Sequence, residues 1–191
     1  MKFEYYLRND ASWAEILFEH NDIKLDYSVE DCLGENITDL LSCILVLAGR
    51  KDLMKLNDYR DKYGNHFDQH FDDHMFNWNI FEGPLGVKFE FKLSRNKKTT
   101  KLRIIEFDDF LKDQDDKNGK CVFYGTIDFN ELINNILKSC SSILNKYGII
   151  GYSKNFWREF PIVYFLLLKD YKEGKLVFDS FKEKLTIISK I

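Results

Sequence analysis

Three of the four histidines are spaced so that they could bind a metal ion, at His66, His70 and His74. On an α-helix, residues four apart lie on one face, so two of these imidazoles could bind zinc together with a carboxylate such as Asp73. All three span two helical turns, about 12 Å, which is too far for one ion. A zinc-protease motif would also place glutamate after the first histidine, where this chain has Phe67. The spacing therefore favours a polar segment without a metal, and the three histidines are candidate ligands only under an alternative function.

A second group of chemically capable residues is a run of carboxylates between positions 106 and 116. It consists of Glu106, Asp108, Asp109, Asp113, Asp115 and Asp116. General acid–base catalysis needs two such groups with separated pKa values inside a cleft, whereas closely spaced aspartates in a loop are similar and solvated. The calcium-loop pattern is absent as well, because no glutamate closes it. We expect these six residues to bind a protein partner, with no catalytic residue, metal or cofactor.

The opposite charge is concentrated a few residues earlier in the chain. The basic side chains are Lys92, Arg95, Lys97, Lys98, Lys101 and Arg103. Proteins that bind single-stranded nucleic acid interleave such charges with exposed aromatic residues, but Phe89 and Phe91 lie on the apolar side of a predicted strand. We therefore predict a solvated hairpin turn and no nucleic-acid partner. The sequence also lacks the linear motifs for binding nucleotide phosphates or for a nucleophilic serine.

The composition sets the broad class of protein. The 191 residues include 28 Lys and Arg against 31 Asp and Glu, which gives a net charge of −3, and apolar residues make up 45%. These values favour a folded globular protein and argue against a general polyanion binder.

Targeting signals and cysteine spacing bear on where the protein works. The amino terminus lacks the pattern of a signal peptide, and the longest apolar run, 160–168, is about half the length of a membrane span. None of the four cysteines, Cys32, Cys43, Cys121 and Cys140, forms a CxxC pair. We expect a cytoplasmic protein without a membrane partner, in which Cys43 and Cys140 are small core residues.

The elements that must position these residues follow from the hydrophobic pattern. Apolar segments bounded by polar breaks, several of them with clear alternation, predict strands at 1–8, 13–18, 23–29, 76–80, 87–93, 102–107 and 121–127. Helices are predicted at 37–48, 129–147 and about 159–171, the second with a capping pair at Asp128 and Glu131 and an end at Gly148. The fold class is therefore α+β: a single domain over residues 1–191, with an antiparallel sheet of five to seven strands and helices packed on it.

The second half of the chain carries a spaced pattern of aromatic residues and glycines. It includes Phe76-x-Trp78, the Glu82-Gly83-Pro84 turn, Leu102-x-Ile104-x-x-Phe107-x-Asp109, and Tyr147-Gly148-Ile149-Ile150-Gly151-Tyr152 followed by Trp157 and Phe160-Pro161. Over residues 76–161 this pattern resembles an uncharacterised family of bacterial cytoplasmic proteins, similar to the immunity partners of polymorphic or contact-dependent growth inhibition toxins. The turn departs from the order Glu-Pro-Gly of that family. The resemblance implies an α+β neutralising protein without catalysis of its own, and it supplies no site residues.

The sequence thus leads to one function and two alternatives. The resemblance and the acidic run favour an immunity-type protein that binds a basic cognate toxin and neutralises it by occlusion. The first alternative is a metal-dependent enzyme or small-molecule-binding protein that uses the segment of His66, His70 and His74. The second is a non-catalytic scaffold or regulatory domain that binds another protein through the same surfaces.

Overall fold

A computed structural model of the chain describes residues 1–8, 13–30, 36–50, 75–82, 85–109, 116–156 and 158–176. These residues form seven strands and three helices. In chain order they are β1 (Lys2–Leu7), β2 (Trp13–His20), β3 (Ile23–Glu30), α1 (Asn36–Ala48), β4 (Met75–Glu82), β5 (Leu85–Leu93), β6 (Thr99–Phe107), β7 (Lys120–Asp128), α2 (Phe129–Phe156) and α3 (Ile162–Lys172).

The first three strands form an antiparallel sheet in the order β1-β2-β3, called here the N-terminal sheet. A two-residue turn joins β2 to β3, and Asn21 in that turn has a positive φ of 52°, which asparagine tolerates better than most residues. Because side chains alternate along a strand, Phe3, Tyr5, Ile16 and Phe18 all point to one face, and all four are buried. This sheet therefore has an apolar inner face.

The other four strands form the C-terminal sheet, an antiparallel meander in the order β4-β5-β6-β7. Its inner face is also apolar, with Trp78, Phe89, Phe91 and Ile104 buried. The register between β6 and β7 shifts between Ile104 and its neighbour in the chain, which marks a β-bulge in this pair. Each sheet thus has one face that must be covered.

The α+β class is confirmed, but the predicted single sheet of five to seven strands is not, because the seven strands divide between two sheets. The inner faces contact each other through aromatic rings. Phe18 and Phe123 are 4.7 Å apart between ring centroids, and Tyr27 and Phe89 are 6.0 Å apart. Two sheets with one apolar face each bury those faces by packing together. Strand periodicity predicts such a face and does not say what covers it.

Helix α1 follows the N-terminal sheet and is buried on nearly every side, as its sequence predicts. Ten of its 13 residues are buried. Gly49 directly after the helix has a positive φ of 124°, which only glycine adopts readily. The indole of Trp78 on β4 donates a hydrogen bond of 3.0 Å to the backbone oxygen of Asn36, and this bond attaches the start of α1 to the C-terminal sheet.

Helix α2 begins and breaks where the sequence predicts. The carboxylate of Asp128 accepts a 2.7 Å hydrogen bond from the backbone N–H of Glu131, which is an N-cap. Gly148 has non-helical dihedral angles (φ 63°, ψ 176°), and helical structure resumes after it as far as Phe156. The helix also covers the outer edge of β1, because the N–H of Tyr5 donates a 3.0 Å hydrogen bond to the hydroxyl of Ser139.

The described cysteines agree with their predicted roles in packing. Cys43 and Cys140 are buried. Burial raises the pKa of the Cys43 thiol well above its ordinary value and raises that of Cys140 to about 12, so both thiols are protonated at neutral pH. Cys121 is exposed, and Cys32 lies outside the described residues. No helix within the described ranges is long and apolar enough to cross a membrane.

We predict that Ser139→Ala lowers the free energy of unfolding by about 1–3 kcal/mol, because it leaves the buried N–H of Tyr5 without a partner. Ser142→Ala is the matched control, since Ser142 is exposed on the same helix and the change should be neutral within about 0.5 kcal/mol. Urea denaturation of the three proteins measures both effects. Equal stability of the two variants would contradict the assigned role of Ser139.

Candidate partner-binding site

The acidic segment, residues 106–116, lies in the connection between β6 and β7, at one end of the C-terminal sheet. The structure describes four of its six carboxylate residues: Glu106, Asp108, Asp109 and Asp116. The other two predicted partner-binding residues, Asp113 and Asp115, lie outside the described residues. The described carboxylates divide into two that are bonded to the sheets and two that follow the end of β6.

Glu106 lies on the inner face of the C-terminal sheet and contacts the N-terminal sheet. It is opposite Val87 in the register of β5 and β6. Its carboxylate accepts a hydrogen bond of 2.9 Å from the hydroxyl of Tyr27 on β3. Burial, this hydrogen bond and the charge of Glu106 raise the pKa of Tyr27 far above its ordinary value, so the hydroxyl remains a proton donor. The beginning of the acidic segment is therefore bonded to the opposite sheet.

Asp116 lies on the other, outer face of the C-terminal sheet, between two cations. One carboxylate oxygen pairs with the ammonium group of Lys88 on β5, and the other pairs with the guanidinium of Arg103 on β6. Arg103 also pairs with Glu90 at 2.8 Å. These four side chains form an alternating network of charges, and such networks hold a geometry better than isolated surface pairs do.

The charge of Arg103 is stabilised by this arrangement. Partial burial disfavours the charged guanidinium, but the hydrogen bonds and charges of Glu90 and Asp116 outweigh burial and raise the pKa of Arg103 above its ordinary value. Arg103 therefore remains charged in the network. The network holds the end of the acidic segment against the outer face of the sheet.

The segment that follows Asp116 is also packed closely on this outer face. Ile105 and Phe107 point outward, yet they are only 1% and 3% exposed. Gly119 lies directly against both, since a Cβ atom added there would overlap a methyl group of Ile105 and come within 2.7 Å of the Phe107 ring. The Lys88 ammonium lies 5.7 Å from the centre of the same ring. The apolar contacts of Gly119 and the ion pairs of Asp116 thus attach this part of the chain to the same region of the outer face.

Asp108 and Asp109 follow the end of β6 at the same end of the sheet. Asp108 is exposed and Asp109 is half-buried. An exposed carboxylate on a fixed strand end can accept charge-assisted hydrogen bonds from lysine or arginine of a partner.

The predicted metal ligands His66, His70 and His74 lie outside the described residues. Within the parts of the chain that are described, no group of three or more His, Cys, Asp or Glu residues is placed to hold a metal ion. The fourth histidine, His20, packs against the rings of Phe18 and Phe123.

Tyr27, Lys88 and Arg103 hold the acidic segment in place, and sequence reasoning did not assign them to the site. The sequence predicts a half-buried strand for Tyr27 and a solvated basic turn around Arg103, and it predicts no bonding partner for either side chain. The only indication in the sequence is that Lys88 alternates with the apolar residues of β5. This alternation predicts which face of the sheet Lys88 lies on, but it does not predict that Lys88 pairs with Asp116.

Comparison of the chain with protein-family models, curated proteins and solved structures found no match.

We predict that Gly119→Ala lowers the melting temperature, because a methyl group at this position overlaps the Ile105 and Phe107 side chains, which are buried and cannot move away freely. Overpacking of this kind costs about 1–3 kcal/mol. Gly151→Ala is the control: it lies in a helix, its nearest neighbour would be 3.7 Å away, and alanine favours helix by up to about 1 kcal/mol. A Gly119→Ala variant as stable as the Gly151→Ala variant would show that residue 119 is not packed on the sheet.

Proposed function

We propose that this chain is an immunity-type protein of a bacterial cytoplasm, which binds a cognate protein toxin and neutralises it by occlusion. It performs no catalysis and uses no cofactor. The observation that supports the proposal most strongly is that both described ends of the acidic segment are bonded to the sheets, Glu106 by Tyr27 and Asp116 by Lys88 and Arg103. The remaining carboxylates, from Asp108 to Asp115, are the residues expected to contact the partner.

Anchored ends matter because ordering a loop during binding costs free energy. Each side chain or backbone segment that is fixed only in the complex reduces the affinity by its lost entropy. A loop whose two ends are already bonded to sheets loses less conformational entropy when it binds. The anchors therefore favour a tight complex over a weak and transient one.

The negative charge of the acidic segment favours a basic partner. The segment holds six acidic residues and one lysine in a chain of net charge −3. Such a surface attracts a cationic protein over a distance of about 10 Å at moderate salt and raises the rate of association. Many enzymes that cleave nucleic acid are cationic around their active sites, since they bind phosphates. Carboxylates placed over those cations would exclude the substrate, which is neutralisation by occlusion.

The proposal predicts growth rescue by this chain. The protein encoded by the neighbouring gene, expressed alone in a bacterial host, should arrest growth, and co-expression of this chain should restore it through a stoichiometric complex. A variant that converts Asp108, Asp109, Asp113 and Asp115 to asparagine should bind at least about tenfold more weakly in calorimetry and show a smaller dependence on salt.

The control variant changes four other acidic residues to their amides. These are Glu4, Glu19, Asp22 and Asp26, which lie on the N-terminal sheet and its hairpin. Asp22 and Asp26 are exposed, and Glu4 and Glu19 are partly exposed. Both variants change the net charge equally, so a difference between them reports position and not total charge. Absence of a complex with the neighbouring gene product would contradict the proposed function. Equal binding by the two variants would contradict the assigned surface.

A further inference from the structure

An exposed tyrosine lies among basic residues on the outer face of the C-terminal sheet. Tyr124 on β7 is 66% exposed and points outward, because its neighbour Phe123 packs inward against Phe18. The register places Tyr124 directly opposite Arg103 on β6, and Lys101 is the next outward residue of β6. Side chains directly opposite each other on one face have Cβ atoms about 5 Å apart, and diagonal neighbours are about 7–8 Å apart. Both basic residues therefore lie next to the tyrosine.

Positive charge continues from Lys101 to the end of the sheet. Lys92 on β5 lies directly opposite Lys101 in the register. The turn between β5 and β6, residues 94–98, is called here the basic hairpin, and it carries Arg95, Lys97 and Lys98. All five of these basic side chains are exposed, and residues 91–105 contain no acidic residue. Tyr124 thus lies at one end of a track of five exposed cations.

Among the described residues of this part of the outer face, the carboxylates have partners within the chain. Glu90 and Asp116 both pair with Arg103. Asp128, at the end of β7, accepts the hydrogen bond that caps α2. The five exposed cations therefore outnumber the acidic groups beside them, and this end of the face attracts anions.

A second exposed tyrosine has the opposite surroundings. Tyr6 is 46% exposed on the outer face of the N-terminal sheet. Partial burial and the negative charges of Glu15 and Asp26 raise the pKa of Tyr6 above its ordinary value. Carboxylates beside a ring repel a polyanion, whereas cations beside a ring attract one. The surroundings of Tyr124, and not exposure of a ring alone, therefore point to a ligand.

We propose that Tyr124, Lys101, Lys92 and the basic hairpin bind single-stranded nucleic acid without sequence preference. One base stacks on the ring of Tyr124, and the phosphates of adjacent nucleotides contact the lysines and the hairpin. Proteins that bind single strands combine these two elements, an aromatic ring for a base and a cationic path for the backbone. Lys92 lies two strand spacings from β7, about 10 Å, so the ring and the cations contact neighbouring nucleotides of one strand.

The sequence predicts no nucleic-acid partner because Phe89 and Phe91 lie on the apolar side of their strand. Both are indeed buried. The exposed ring comes from β7 instead, and only the register of β6 and β7 brings it next to the basic residues. An acidic protein would pair with the lysines without using a ring, and a duplex keeps its bases stacked inside. The ring therefore favours a single strand, and this inference does not depend on the proposed toxin.

The first experiment measures fluorescence anisotropy of a short labelled oligodeoxythymidine with the purified full chain. For single strands, the logarithm of the binding constant falls with the logarithm of salt concentration by about 0.7 for each phosphate contact. Three to five contacts give an expected slope between about −2 and −3.5. Unchanged anisotropy at low ionic strength and about 100 μM protein, where even non-specific binding is measurable, would overturn the proposal.

Tyrosine variants test the stacked base. Tyr124→Leu keeps an apolar side chain but removes the ring, and it should weaken binding at least about fivefold, whereas Tyr124→Phe keeps the ring and should bind within about twofold of the unmodified chain. Tyr6→Leu is the matched control and should change nothing. Thermal unfolding checks that each variant is folded, as expected for changes at exposed positions. Equal binding by Tyr124→Leu and Tyr124→Phe would overturn the proposal.

Charge variants and a competitor test the cationic path, also if Tyr124→Leu does not fold. Arg95→Gln with Lys98→Gln should make the salt slope shallower by about 1.4, which is two phosphate contacts. Lys138→Gln with Lys154→Gln, two exposed lysines of α2, changes the net charge equally and should leave the slope unchanged. A polyglutamate peptide of the same charge should compete at least about tenfold more weakly than unlabelled oligonucleotide, because glutamate cannot stack. Equal competition would identify an acidic protein as the partner and overturn the proposal.

Discussion

The structure depends on the packing of two sheets through their apolar inner faces. Trp78 lies in this contact, with its ring 4.9 Å from Phe89 on its own sheet and 6.2 Å from Phe3 on the other. Its indole N–H is bonded to the start of α1, so the same residue joins both sheets and the buried helix. Burial of aromatic rings contributes more to stability than most other contacts. The aromatic contact around Trp78 fixes how the two sheets lie against each other. The surface residues that the sheets carry take their positions from that arrangement.

The acidic segment owes its geometry to that placement. Because β3 lies against β5 and β6, the hydroxyl of Tyr27 reaches Glu106. The ion pairs of Asp116 with Lys88 and Arg103 then attach the other end of the segment to the outer face. The acidic segment is therefore attached at its two described ends to both sheets.

Much of the fold could be predicted from local signals. The positions of all seven strands follow from their hydrophobic segments and polar breaks, and the limits of the long helix follow from Asp128, Glu131 and Gly148, because caps and glycine breaks act within a few residues. The division into two sheets could not be predicted, since alternation does not encode which strands pair. The anchors of the acidic segment were missed for the same reason. Glu106 and Asp116 have the composition of a solvated loop, and only the register of β5, β6 and β3 brings Tyr27, Lys88 and Arg103 to them.

The claim that the acidic segment is anchored before any partner binds is tested most directly by a double-mutant cycle on Tyr27 and Glu106. The free energy of unfolding is measured for the unmodified chain, Tyr27→Phe, Glu106→Gln and the double variant. Hydrogen bonds to charged groups contribute about 1.5–3 kcal/mol when partly buried, so a coupling energy of at least about 1 kcal/mol is predicted. A coupling energy of zero would show that the two sheets do not hold the segment through this bond and would contradict the account.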